Sequence, residues 1–128
     1  MPARILTIDD LDMNDKRVLV RVDINTPIHP ETGELLELSR IEEAAMTLRD
    51  LGMARTIVAS HQGRVGRYDY VPMERHAVAL SKVIGKEVQF VEDVCGEAAR
   101  SRIDQVRRGE VLLLDNLRFM AEEVVEYT

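Results

Sequence analysis

Val111-Leu112-Leu113-Leu114-Asp115-Asn116-Leu117-Arg118 is an apolar run that stops abruptly in polar residues. Unbroken hydrophobicity over so few positions marks a strand covered on both faces, the habit of parallel sheets flanked by helices. A second stretch repeats the arrangement. Thr56-Ile57-Val58-Ala59 is β-rich and apolar, and it delivers the polar loop Ser60-His61-Gln62-Gly63-Arg64. Upstream, residues 16–25 alternate, with Val18, Val20, Val22 and Ile24 on one face and Leu19, Arg21, Asp23 and Asn25 on the other. Val88 to Val91 predicts one more short strand.

Helical patterns fill the intervals. Ser39 and Glu42 fit a capping box ahead of an apolar stripe of Ile41, Ala44, Ala45, Leu48 and Leu51, with Gly52 as the stop. Pro72 opens a second helix carrying Ala77, Leu80 and Ile84, and Gly85 closes it. A third helix carries Ala99, Ile103 and Val106, with Arg107-Arg108 near its end favourably placed against the helix dipole. Pro30-Glu31-Thr32-Gly33, between Ile28 and Leu35, predicts a tight turn in a small hairpin. Ile5 to Ile8 with Asp9 and Asp10 read as an N-terminal arm. The alternation of strand and helix predicts an α/β fold, a three-layer α/β/α Rossmann-like parallel sheet of four strands.

A chain of 128 residues is long enough for one domain with a real core. Its 23 acidic against 17 basic residues leave a formal charge of −6, which argues against general nucleic-acid binding. An anionic ligand must then be held by a local basic cluster working against the overall field. No apolar run approaches a membrane span, and Met1-Pro2-Ala3-Arg4 carries no signal-peptide pattern. Cys95 is the sole cysteine, which rules out an intrachain disulfide and points to a reducing, cytoplasmic setting. It is expected to be a small buried hydrophobe without a catalytic role.

Ligands of open α/β sheets bind outside the carboxyl ends of the strands. Asp23, Asn25, His61, Arg64 and Arg118 all fall at or just beyond those ends. Arg40 falls in the first turn of its helix, where the dipole disfavours a cation by a few tenths of about 1 kcal/mol. Each residue has a plainer reading. Asp23 and Asn25 before Thr26-Pro27 suit a turn, Arg40 a solvated side chain, His61 an ordinary loop histidine, and Arg64 and Arg67 surface charges. Their convergence, with Gly63 and Gly66 in the same loop, points to an oxyanion site, with His61 contributing charge only when protonated. Spacing does not name the reaction.

At these residues the chain resembles the phosphoglycerate kinase family. Arg21-Val22-Asp23-Ile24-Asn25-Thr26-Pro27 is similar to that family's Arg-Val-Asp-Phe-Asn-Val-Pro signature, and Ser39-Arg40-Ile41 to the Arg-Ile opening the next helix. Ser60-His61-Gln62-Gly63-Arg64 resembles its Ser-His-Leu-Gly-Arg-Pro loop, the glutamine being similar to archaeal members. Residues 109–119 resemble its Gly-Glu-Val-Leu-Leu-Leu-Glu-Asn-Leu-Arg-Phe segment. Val65 stands where the family usually has proline, and Met120 where it frequently has histidine.

The resemblance implies reversible phosphoryl transfer between 1,3-bisphosphoglycerate with ADP and 3-phosphoglycerate with ATP. It implies that Asp23 and Asn25 contact the glycerate, that His61, Arg64 and Arg118 bind the phosphate that is not transferred, and that Arg40 is catalytic, stabilising the phosphoryl group in flight. Mg-ATP and Mg-ADP are implied as co-substrates of a separate C-terminal domain absent from this chain. Residues 1–128 are then a partial N-terminal phosphoglycerate-binding domain, inactive alone. Four strands of a six-stranded sheet would leave the first strand exposed as an edge. No metal, nucleic acid or membrane partner is implied for this piece. One rival is a non-catalytic phosphate-binding α/β module. Another, a phosphosugar hydrolase or isomerase, ranks lower: His29, His61 and His76 lack metal-ligand spacing and Asp23 has no second carboxylate on its strand.

Overall fold

In the computed structural model, which describes residues 5–124, four parallel strands form one sheet. They are β1 (Arg17–Arg21), β2 (Arg55–Ala59), β3 (Val88–Phe90) and β4 (Val111–Leu113), in spatial order β1-β2-β4-β3. Val20, Val58, Leu113 and Phe90 stand in one row across it, so the carboxyl ends of all four strands are nearly level. The helices are α1 (Ser39–Asp50), α2 (Glu74–Ile84), α3 (Glu97–Gln105) and the short α4 (Ala121–Val124). Single 3₁₀ turns lie at Ile8–Asp10 and Leu117–Phe119.

Period-two alternation in the central strands builds two apolar layers. Val58, Val111 and Leu113 pack with Ile41, Ala44 and Leu48 of α1 and Ala77 and Leu80 of α2. Ile57, Ala59, Leu112 and Leu114 face the other way, against Ala99 of α3 and Val106. The fold is therefore the expected three-layer α/β/α sandwich, and the run 111–114 is buried throughout. β1 lies at the sheet edge with Leu19 70% exposed, as its position implied. The hairpin reduces to one antiparallel bridge, Ile28 with Leu35.

Several local expectations are corrected. β1 is five residues long and ends at Arg21, so Asp23 and Asn25 lie beyond it. One ladder bond follows, Val22 N–H to the Ala59 carbonyl (3.1 Å). Then side chains replace the partner backbone: Ile24 N–H donates to Ser60 Oγ (3.2 Å) and Thr26 N–H to Gln62 Oε1 (2.8 Å). Ser39 does not cap α1. Leu38 holds the cap position and Ser39 is the first helical residue, its hydroxyl donating to Glu37. Gly52 stops α1 without a left-handed conformation, through short turns on Leu48 and Arg49. Gly85 does close α2 in the left-handed region, φ 85°. α2 starts at Glu74 rather than Pro72, because Asp115 Oδ1 accepts the Met73 N–H (3.1 Å) and sets the first turn there. β3 ends one residue short of Val91, and Val106 with Arg107-Arg108 lies past the end of α3. Cys95 is exposed, not buried: the Asp93 carboxylate accepts from Val94 N–H and Ala99 N–H (both 2.9 Å), holding the intervening loop on the surface.

Candidate functional site

Strand-end loops of β1, β2 and β4 meet at the carboxyl edge of the sheet. The segment after β1 makes the turn that its composition suggested, with Asn25 N–H on Asp23 Oδ1 (3.1 Å). The Asn25 side chain reaches farther, its Oδ1 accepting the Gly63 N–H at 2.7 Å. That bond ties the β1 loop to the β2 loop. Gly63 is at φ 69°, and a Cβ there would stand 2.4 Å from the Asp69 carbonyl oxygen, so only glycine fits. Arg118, after β4, donates through Nη1 to the Gly63 carbonyl. Its own carbonyl accepts the Tyr70 hydroxyl (2.8 Å), and Tyr70 packs edge-on against Phe119 at 5.0 Å.

Two hollows result, side by side and sharing Asn25 and Asp69. One, of about 410 Å³, is lined by Asn25, His61, Gly63, Arg64, Arg67, Tyr68, Asp69 and Arg118. The other, of about 440 Å³, is bordered by Arg40, Ser39, Glu37 and the chain from Asn25 to Pro27. Four of the six sequence-predicted residues thus surround one cavity, and Arg40 borders the next. Asp23 lines neither. It accepts from Arg40 Nη1 on both carboxylate oxygens at 3.2 Å, and Arg40 also points at the Asn25 carbonyl (3.4 Å).

The charges differ in how firmly they are engaged. The Arg40–Asp23 pair is 52% and 59% exposed, a geometry worth about 0–1 kcal/mol in water. Arg64 is exposed, and its guanidinium makes no hydrogen bond among the described residues. His61 is held below the ordinary imidazole range, first by burial and then by the Arg118 charge. It is therefore neutral at pH 7, and its Nδ1 is buried without a partner. At the rim, Arg21 pairs with Glu123, and this contact draws the Glu123 carboxyl below its usual range.

The residues that shape these loops were not among the predicted ones. Gln62, Asn116 and Asp115 are buried and polar, as are Ser60 and Thr26. Asn116 Nδ2 donates to the carbonyls of Gln62 (2.8 Å) and Val71 (3.0 Å), while its Oδ1 accepts the N–H of Gln62 (3.2 Å) and of Arg118 (3.0 Å). A run of polar residues straight after a buried strand is the signal that could have marked them. Asp69 was not singled out, and Arg67, noted in the same loop, was given no binding role; both line the cavity. Among the described residues, no group of three or more His, Cys, Asp or Glu side chains is gathered as a metal site.

A larger hollow of about 890 Å³ lies at the amino ends of the strands, lined by Asp15, Arg55, Gln89, Glu110 and residues 104–108. It is open, and its Arg55 is spent on Asp15 at 2.9 Å. The smaller carboxyl-edge cavities carry the convergent polar groups and are the candidate site.

Residues 8–127 match the family model described as phosphoglycerate kinase. The phosphoglycerate kinase of Sulfurisphaera tokodaii is 44% identical over 124 residues, which are 95% of this chain and 30% of that protein. That of Aeropyrum pernix is 46% identical over 128 residues, 98% of this chain and 31% of the relative. The crystal structure of phosphoglycerate kinase from Pyrococcus horikoshii OT3 superposes with a TM-score of 0.87 at 33% identity, covering 97% of this chain and 31% of that one. The chain spans about 30% of the length of the relatives that it matches.

Proposed function

The chain belongs to the phosphoglycerate kinase family, and from that premise we propose that it forms the acceptor side of a reversible phosphoryl transfer. The reaction joins 1,3-bisphosphoglycerate and ADP with 3-phosphoglycerate and ATP. The observation that carries this reading is the ring of Asn25, His61, Arg64 and Arg118 around one cavity of an acidic protein, with Arg40 bordering the adjoining cavity. A phosphate is chemically suited to the basic hollow of Arg64, Arg67 and Arg118, and Arg40 is the cation of the hollow beside it.

In this reading His61, Arg64 and Arg118 take the phosphate that is not transferred. Asp23 and Asn25 orient the glycerate, and Arg40 faces the reacting end as the catalytic residue. Phosphoryl transfer requires positioning and positive charge rather than covalent help from the protein. Arg40 has that charge in reserve, since its exposed contact with Asp23 is weak enough to be exchanged for substrate oxygens. The nucleotide, carried with Mg2+ as co-substrate, is proposed to be held by a part of the enzyme beyond the matched length. The exposed free thiol of Cys95 suits a reducing compartment, and the proposed location is the cytoplasm.

Titration of 3-phosphoglycerate into the chain at low salt, followed by amide NMR, tests the assignment. Saturable shifts at Asn25, Gly63 and Arg118, at concentrations where inorganic phosphate has little effect, are expected. Equal responses to both anions in a well-dispersed spectrum would reduce the site to a general phosphate pocket.

A further inference from the structure

Gln62 is fully buried between the two site residues His61 and Gly63. Its side-chain amide treats Thr26 as an adjacent strand would. Thr26 N–H donates to Oε1 (2.8 Å), and Nε2 donates to the Thr26 carbonyl (2.9 Å). The Gln62 peptide is gripped in the same two-point manner by the Asn116 amide, at 3.2 and 2.8 Å. Two cyclic amide pairs in series therefore connect the end of β4 to the end of β2 and then to the segment after β1. His76, on α2 and also fully buried, adds an anchor through Nε2 to Gln62 Oε1 at 2.8 Å.

This arrangement has only one consistent polarity. Reversing the Gln62 amide would set its NH2 against the Thr26 N–H and its oxygen against a carbonyl. With Oε1 accepting, His76 must carry its proton on Nε2, which leaves Nδ1 bare in the core, where it is without a partner. Buried amides paired at both oxygen and nitrogen hold one geometry, because any slip leaves an unpaired polar group.

We propose that Gln62 is a positioning residue for phosphoglycerate binding: through Asn116, Thr26 and His76 it holds the three strand-end loops in the register that the anion requires. This rests on the reading of the cavity given above. The relay acts through Asn25 and Gly63, which flank the connected residues and are joined by their own 2.7 Å bond. A leucine fills similar space yet leaves the buried Thr26 N–H and carbonyl without the partners that Gln62 supplies.

The test compares wild type, Gln62→Leu and Val106→Ala. Val106 is buried on the opposite face of the sheet, so its truncation lowers stability without touching the relay. Each folded variant is titrated with 3-phosphoglycerate well below its melting temperature. Gln62→Leu is expected to weaken binding by about tenfold or more, with the amide shifts of β4 unchanged, while Val106→Ala binds as wild type does. Wild-type affinity in Gln62→Leu, or an equal loss in Val106→Ala, overturns the proposal. A measurement on the unliganded wild type decides the case if Gln62→Leu does not fold or if 3-phosphoglycerate does not bind at all. Slow exchange of the Thr26 amide proton with an Nε2-protonated His76 supports the relay, and loop-rate exchange at Thr26 overturns it. Absence of 3-phosphoglycerate binding with a protected Thr26 would sink the functional reading, and with it Gln62's role in binding, while the loop register that Gln62 holds would stand.

Discussion

His76 ties the stability of this domain to pH. Its ring is fully buried, and burial lowers its pKa from 6.5 to about 4. In the unfolded chain the imidazole regains its ordinary value, so between these limits the unfolded state binds more protons than the folded one. The stabilisation is complete above pH 6.5 and is lost as the pH falls toward 4. The full difference is worth about 3 kcal/mol at ~1.4 kcal/mol per pH unit, about 2 kcal/mol of it between pH 7 and pH 5. Asp93 and Asp15, whose carboxyls are drawn below 3.8, lose their contributions at lower pH. His61 shifts in the same direction as His76 and must be separated from it. Urea unfolding followed by far-ultraviolet circular dichroism at pH 7 and pH 5, on wild type and His76→Gln, makes the separation. The glutamine can still donate to Gln62 Oε1 and does not titrate. Wild type should lose about 2 kcal/mol more than the variant over this interval. Identical losses in both would show that the buried ring does not govern acid sensitivity.

Gly63→Ala should lose 3-phosphoglycerate binding and at least about 2 kcal/mol of stability, because φ 69° and the Asp69 carbonyl leave no room for a methyl group; calorimetry and titration check both. Arg118→Ala should weaken binding about 10- to 100-fold with the spectrum otherwise intact, the loss of one charge-assisted contact; unchanged affinity in a folded variant refutes its phosphate role. His61 should rise in pKa when 3-phosphoglycerate binds, since the anion favours the protonated ring that burial and Arg118 now disfavour. Binding should then take up protons and tighten from pH 7.5 to 6.5, and an NMR titration of His61 with and without ligand reads the sign. Asp23→Asn frees Arg40 from an exposed pair worth about 0–1 kcal/mol, so inorganic phosphate should bind up to about fivefold tighter while 3-phosphoglycerate loses its glycerate contact. Parallel changes in the two affinities would contradict the assigned division of labour.

The layers were legible because burial writes directly onto hydrophobic pattern. Val111 to Leu114 reads as a doubly covered strand; the run is buried throughout and its first three residues are β4, and the helices appear where the apolar stripes recur. Asn25, His61, Arg64 and Arg118 were findable by the rule that parallel sheets bind at their carboxyl ends. What escaped depends on contacts between distant segments. The end of β1 follows from Ser60 and Gln62 intercepting its backbone donors, and nothing near Arg21 in sequence announces that. Ser39 followed by Glu42 satisfies the local capping pattern, yet its hydroxyl finds Glu37 first. Cys95 is exposed because Asp93 organises the loop around it, a fact absent from the residue's own chemistry. Polar residues after a strand look alike in sequence whether solvated or buried, so Gln62 and Asn116 passed as loop residues.

In the proposed reading an acidic chain holds anions, so its overall field and its site are in conflict, and the charges around the cavities suggest how the conflict is resolved. Arg40 and Arg21 at the edge of the cavities are each matched by a carboxylate, Asp23 and Glu123, in partly exposed pairs. Such pairs keep cations in place at little energetic cost, since water screens both partners. On that reading a dianionic phosphate beside Arg64 and Arg118 would offer those guanidiniums a doubly charged partner. In the proposed reading the exchange therefore favours the ligand, and Arg64, whose guanidinium makes no hydrogen bond among the described residues, is free to join it. His61 fits the same logic: burial and Arg118 keep it neutral when the cavity holds no anion, and an anion beside it favours the protonated ring. Charge is thus assembled on binding around a rigid frame of buried amides, which separates the groups that provide geometry, Gln62 and Asn116, from those that provide attraction. Loss of the first group should impair recognition at every salt concentration. Loss of the second should matter progressively less as salt screens the site, so the ionic-strength dependence of each variant's affinity tells the two kinds of residue apart.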